Sequence, residues 1–192
     1  MPDGVTLAAD LFMPDVAGQF PVVIEYLPYR KNDVTAQGYF GHRYMAERGY
    51  VVARIDVRGT GDSEGQAEDE YCLREQLDGV AAIAWLAAQP WCSGRVGMWG
   101  ISWGGFNSLQ VAALQPPALK AILPIGFTHD RYNGDCHYMG GCLLNDLRQG
   151  GRAFQNVADV LAVREGRRVD ALVPLGCRRI SPGLQFRATH SL

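Results

Sequence analysis

Histidine is scarce in this sequence, with four among 192 residues: His42, His129, His137 and His190. Histidine is the side chain best suited to carry protons near neutral pH, so few positions can do acid–base work. An excess of one charge is also missing. Lys plus Arg number 18 against 20 for Asp plus Glu, a formal net charge of −2, which argues against a nucleic-acid or membrane-surface partner. No apolar run approaches the roughly 18 residues a membrane span requires. The start, "MPDGVTLAADLF", has neither a basic n-region nor a long apolar h-region. The five cysteines (Cys72, Cys92, Cys136, Cys142, Cys177) are odd in number and unpaired in spacing. They read as free thiols of a reducing compartment, and a cytoplasmic location is expected. Cys136-His137 with Cys142 lacks a second pair of ligands and fits no common zinc spacing, so neither metal nor other cofactor is expected.

What is present is an ordinary globular composition, 47% hydrophobic and 20% charged, long enough for one domain with a substantial core. Alternation in "GVTLAADLFMP" suggests a half-buried strand. "PVVIEYL" and "YVVARIDVRG" are continuous apolar runs, the pattern of strands covered on both faces. Between them "TAQGYFGHRYMAERG" reads as a helix ending at Gly49. From Glu68 to Gln89, Leu73, Leu77, Val80, Ala84 and Ala87 recur at three and four, an amphipathic helix closed by Pro90. "GRVGMWGIS", "GGFNSLQVAALQ" and "LKAILPIG" then give a third strand, a helix and a fourth strand. Alternating strands and helices imply an α/β fold with a parallel sheet and right-handed crossovers. Residues 1–130 form this core and 131–150 lead into a further segment. Residues 151–192, rich in clustered arginines and weakly periodic, read as a divergent, poorly ordered tail with one candidate strand, "VDALVPL".

Chemistry concentrates in "RVGMWGISWGGFNSLQVAALQ". Gly-Ile-Ser-Trp-Gly between a strand and a helix is the pattern of a nucleophile elbow, in which a serine sits on a sharp turn. Gly100 and Gly104, two before and two after Ser102, meet the demand for small residues where strand and helix pass closely, and Gly105 relaxes the first helical turn. The helix N-terminus aims free N–H groups at the serine, and the N–H of Trp103 suits an oxyanion. The alternative is an ordinary strand–helix turn with a surface serine.

With that segment, "YLPYRKND", "IDVRGTGDSEG", "QPWCSGRVGMWGISWGG" and "LKAILPIGFTHDRYNGDCHYMGGCLLND" resemble the α/β-hydrolase family of Xaa-Pro dipeptidyl-peptidases, cocaine esterase and related acyl-amide hydrolases. The resemblance covers about residues 3 to 148. It implies an α/β-hydrolase core with helices on both faces, and a serine hydrolase acting on a small-molecule or short-peptide substrate. It implies Ser102 as the acylated nucleophile and Tyr29 as the phenol completing the oxyanion hole with Trp103 N–H. Tyr26, three residues earlier, reads as core. In the loop after "YVVARID", Gly59, Gly61 and Gly65 permit unusual backbone angles, Asp62 and Ser63 can bond local N–H groups, and Arg58 is expected to tie the loop down. His129 and Asp130 stand where substrate pockets usually begin.

A serine of this kind needs a histidine and an acid, in the order serine, acid, histidine. His42 comes too early, and His129 and His137 precede any later strand. Asp170 with His190 is the candidate pair that keeps the order. The resemblance implies a further strand before the present start and, after "LLND", a cap, more core strands with acid and histidine, and a β-sandwich. A truncated, non-catalytic fragment is therefore the alternative reading, with 151–192 as unrelated coding and an open sheet edge exposing apolar surface.

Overall fold

A computed structural model describes residues 1–32, 41–130, 132–135, 138–143, 177–180 and 185–186. Five strands carry the architecture: β1 (Leu7–Pro14), β2 (Phe20–Leu27), β3 (Val51–Asp56), β4 (Cys92–Ile101) and β5 (Leu119–Ile125). Among the described residues three helices accompany them: α1 (Gly41–Ala46), α2 (Leu73–Ala87) and α3 (Trp103–Ala113). Across the sheet the order is β5-β4-β2-β3-β1. β2 to β5 are parallel, as the strand–helix alternation implies. β1 is antiparallel to β3, so the sheet is mixed and not wholly parallel. The reason is covalent: only residues 15–19 join β1 to β2, and a parallel crossover needs a dozen residues or more.

β1 is also more buried than alternation suggests, with seven of its eight residues inaccessible. Its outer edge is paired with two short antiparallel strands, β8 (Cys177–Ile180) and β9 (Gln185–Phe186). Both fall within the stretch read as a poorly ordered tail. The candidate strand "VDALVPL" lies outside the described residues.

The two sheet faces differ chemically. Successive residues point to opposite faces. Tyr26 donates its hydroxyl to the carbonyl of Glu75 on α2, so that face lies under α2 and packs Leu7, Leu11, Ile24, Ile55 and Ile83. Neighbouring Glu25 points the other way and meets His42 of α1, whose Nε2 is 2.8 Å from Glu25 Oε2. On this face a charged row crosses the sheet. Arg54 sits opposite both Asp10 and Glu25 in the strand register and donates to Glu25 Oε2 at 2.6 Å. All three are 1% exposed. Phe12 stacks on the His42 ring at 5.1 Å, which buries the second side of β1. Gly49 (φ 84) ends the turn after α1, in the C′ role its position suggests.

α2 begins at Leu73, five residues later than the apolar spacing suggests. Tyr71, two residues before it, has φ 55, a left-handed conformation no α-helix can include. The phase differs too. Leu73 and Leu77 are 61% and 52% exposed, whereas Glu75, Asp78, Gly79, Ala82, Ile83 and Leu86 face inward. Two carboxylates thus occupy the buried face, and each has partners that offset its desolvation. At Gly79 a Cβ would come within 2.9 Å of Val111 on α3, so the two helices cross closely there.

β5 is paired with β4 alone among the described residues, and Lys120, Ala121 and Leu123 are exposed on it. Residues 126–172 form a separate unit. In it, β6 (Tyr138–Met139) and β7 (Cys142–Leu143) make a hairpin turned by Gly140 and Gly141, whose φ values of 54 and 77 suit a type I′ turn. Among the described residues no helix is long and apolar enough to cross a membrane.

Candidate active site

Strand β4 runs into helix α3 through a single residue, Ser102, with φ 56 and ψ −116. Such a conformation costs a β-carbon-bearing residue on the order of 1–3 kcal/mol and persists only where its surroundings over-determine it. Here Ser102 N–H donates to Ile125 O on β5 at 2.8 Å, and Ser102 O accepts from Phe106 N–H at 3.0 Å. The steric demand for glycine is real before the serine, at Gly100, but after it falls on Gly105 and not on Gly104. A Cβ at Gly100 would sit 2.7 Å from Gly104, and one at Gly105 would sit 2.6 Å from Ile125 O. A Cβ at Gly104 would meet nothing closer than Tyr26 O at 3.7 Å. Gly105, which the motif omits, is therefore the tight position after the serine.

Tyr29 reaches the elbow from the loop after β2. Its hydroxyl donates to Ser102 Oγ at 3.3 Å, and its oxygen accepts from Trp103 N–H at 3.4 Å. The three expected site residues thus converge on one spot. Two donors, one phenolic and one main-chain, are thus linked in a chain that ends on the serine oxygen, and a negative oxygen entering beside Oγ can take both hydrogen bonds in place of these contacts. Arg30 (φ 63) turns the chain directly after Tyr29, and Lys31 N–H donates to Asp56 Oδ1 at 2.6 Å. Asp56 Oδ2 accepts from Asp62 N–H at 2.9 Å, so one carboxylate at the end of β3 holds both loops. Burial pushes the Asp56 carboxyl above its ordinary value, against the pull of those two N–H donors. Lys31 Nζ pairs with Asp62, and Asn32 Nδ2 donates to the same carboxylate at 2.8 Å.

The glycine loop behaves as scaffold. Gly59, Gly61 and Gly65 have φ of 71, 55 and 86. Ser63 Oγ accepts from Ala8 N–H at 2.9 Å and donates to Asp56 O at 2.7 Å. Arg58 is clamped by both oxygens of Asp78, at 2.6 and 2.8 Å, and by Asp3 at 2.7 Å. The Asp78 hydrogen bonds hold its guanidinium above its ordinary pKa. The same arginine holds the Asp3 carboxyl down to about 2.

Glu75 was not legible as part of this neighbourhood. Its Oε1 accepts from the indole Nε1–H of Trp103 at 2.7 Å and from the Asn107 amide at 2.8 Å. Its Oε2 accepts from Tyr71 N–H at 3.2 Å. Burial raises its pKa, and the Trp103, Asn107 and Tyr71 donors oppose that rise. A cleft of about 260 Å³ opens beside Glu75 and Trp103, bordered by Val57, Arg58, Cys72 and Arg74.

The remaining sequence candidates take other roles or lie outside the described residues. His42 is engaged with Glu25 under α1, and Tyr26 is core at 1% exposure. Asp130 closes a turn in its own unit, accepting from Tyr132 N–H, Asn133 N–H and the Asn133 amide, and the Asn133 side chain first among these lowers its pKa. Cys136, His137, Asp170 and His190 lie outside the described residues.

Strand order, elbow and flanking helices define an α/β hydrolase. Residues 3–174 match the X-Pro dipeptidyl-peptidase (S15) family, and the chain belongs to that hydrolase family. The match runs past Arg148, where the sequence motifs end, into the stretch expected to be unrelated coding. The cocaine esterase of Rhodococcus sp. (strain MB1 Bresler) is 33% identical over 173 residues, covering 89% of this chain and 30% of that protein. A putative Xaa-Pro dipeptidyl-peptidase of Streptomyces avermitilis is 29% identical, covering 75% of this chain and 26% of that protein. Among solved structures, a CocE/NonD family hydrolase from Staphylococcus aureus superposes with a TM-score of 0.67 at 24% identity, over 87% of this chain and 34% of that one. An α-amino acid ester hydrolase superposes at 0.62 and 29% identity, over 76% of this chain and 27% of that one. The chain thus spans about a third or less of the length of these relatives.

Proposed function

We propose that Ser102 is the nucleophile of an acyl hydrolase acting on a peptide bond after proline, a small ester or an acyl amide. The observation that carries this is the convergence of Tyr29 OH and Trp103 N–H beside Ser102 Oγ on a strained elbow. Ser102 Oγ adds to the acyl carbon and gives up its proton to a base. The carbonyl oxygen, now negative, takes hydrogen bonds from the Tyr29 phenol and the Trp103 N–H. Collapse of this intermediate expels the amine or alcohol, and water then releases the acid and frees the serine. The base and its orienting acid follow the family order, for which Asp170 and His190 are the candidates within this chain.

A second reading is a chain that keeps the elbow without turnover. It is favoured by the engagement of His42, the sole histidine of residues 1–125, with Glu25. A fluorophosphonate probe separates the two, because phosphonylation requires an activated serine. Labelling that maps to Ser102 and vanishes in Ser102→Ala supports the hydrolase. A folded chain that takes up no probe supports the second reading.

A further inference from the structure

Glu75 is 4% exposed on α2 and touches three elements around the elbow. Its carboxylate grips Trp103 and Asn107, which stand four residues apart on one face of α3, and its main-chain oxygen receives the Tyr26 hydroxyl of β2 at 3.1 Å. The Tyr71 ring packs against Trp103 at 4.6 Å and Phe106 at 5.0 Å, closing the same corner. Docking α2 on α3 needs no charge: Gly79 lets it approach Val111 closely, and Ile83 and Leu86 bury the same helix in the apolar core. A buried carboxylate is costly beside an apolar residue of similar volume, so its contribution is direction more than adhesion. Charge-assisted hydrogen bonds fix the indole against rotation, and the indole is attached to the Cα whose N–H faces Tyr29.

We propose that Glu75 is a positioning residue for the oxyanion hole: it holds Trp103 by its indole and so keeps the Trp103 main-chain N–H aimed at the position beside Ser102 Oγ. This rests on the roles of Ser102, Tyr29 and Trp103 given above.

The test combines two readouts on the full 192-residue chain. The first is the amide and indole ¹⁵N–¹H resonances of Trp103, the indole assigned by its loss in Trp103→Phe. The second is the rate of fluorophosphonate labelling. Glu75→Gln is expected to move both Trp103 resonances and to slow labelling about tenfold or more, since small misplacements of a catalytic group are expensive. Because Glu75 acts through the indole, Glu75→Gln should add little further loss once Trp103→Phe is present. Fully additive losses, or a Trp103 main-chain amide unmoved in Glu75→Gln, overturn the proposal. If the unaltered chain does not label, the Ser102 reading fails, and the Trp103 amide alone then decides for or against Glu75. If Glu75→Gln does not fold, Trp103→Phe decides: slowed labelling supports the proposal and an unchanged rate overturns it.

Discussion

α2 and α3 lie together on one face of the sheet, yet they follow different rules. α3 sets small residues against the sheet at its start, Gly104 and Gly105, and its role is set by the elbow before it. α2 turns two carboxylates inward and leaves two leucines in water. Each inward acid of α2 ties down a part of the site. Asp78 clamps Arg58 of the glycine loop, and Glu75 holds Trp103 and Asn107 of α3. A helix that packs only by apolar contact can slide. One that grips its neighbours through directed hydrogen bonds is held in register, which is what a site built from three loops requires.

The comparison breaks most severely at Asp78. Asp78→Ala leaves the Arg58 guanidinium buried without its bidentate partner and should cost about 3–5 kcal/mol in urea unfolding. Along α2 itself the apolar pattern can be tested directly. Ile83→Ala, at a site 1% exposed, should cost about 2–5 kcal/mol, whereas Leu77→Gln, at a site 52% exposed, should stay within about 0.5 kcal/mol. Equal losses would restore the face that the leucine spacing suggests. On α3, Gly105→Ala forces a Cβ toward Ile125 O and should cost about 1–3 kcal/mol. Gly104→Ala has room and should be nearly neutral in the same assay. The smallest effect belongs to Asp3, partly exposed beside Arg58. Its folded pKa is depressed, from 3.8 to about 2, so its contribution is present above about pH 4 and is lost as pH falls toward 2. Asp3→Asn should flatten the stability profile across that window and leave it unchanged near neutrality.

These contrasts explain what the sequence could and could not disclose. β2 and β3 were legible because strands buried on both faces read as nearly unbroken apolar runs. The strained turn at Ser102 was legible because an elbow needs a local pattern, and the approach of Tyr29 to it because of the family resemblance. The direction of β1 was hidden in a connection length, residues 15–19, and not in its side chains. The buried face of α2 was misread because hydrophobic spacing weighs Leu73 and Leu77 and cannot see that Glu75 and Asp78 find partners far away in sequence. The bond of Arg54 to Glu25, and its place opposite Asp10, are invisible for the same reason: each lies on a different strand. Gly105 escaped because its constraint comes from Ile125, twenty residues further on.

The measurement closest to the central claim is the phosphonylation rate of Ser102 in Tyr29→Phe against the unaltered chain. If the phenol and the Trp103 N–H share one oxyanion position, removing the hydroxyl should slow labelling by about 10²- to 10³-fold while leaving the fold intact. An unchanged rate in a folded Tyr29→Phe chain would contradict the account.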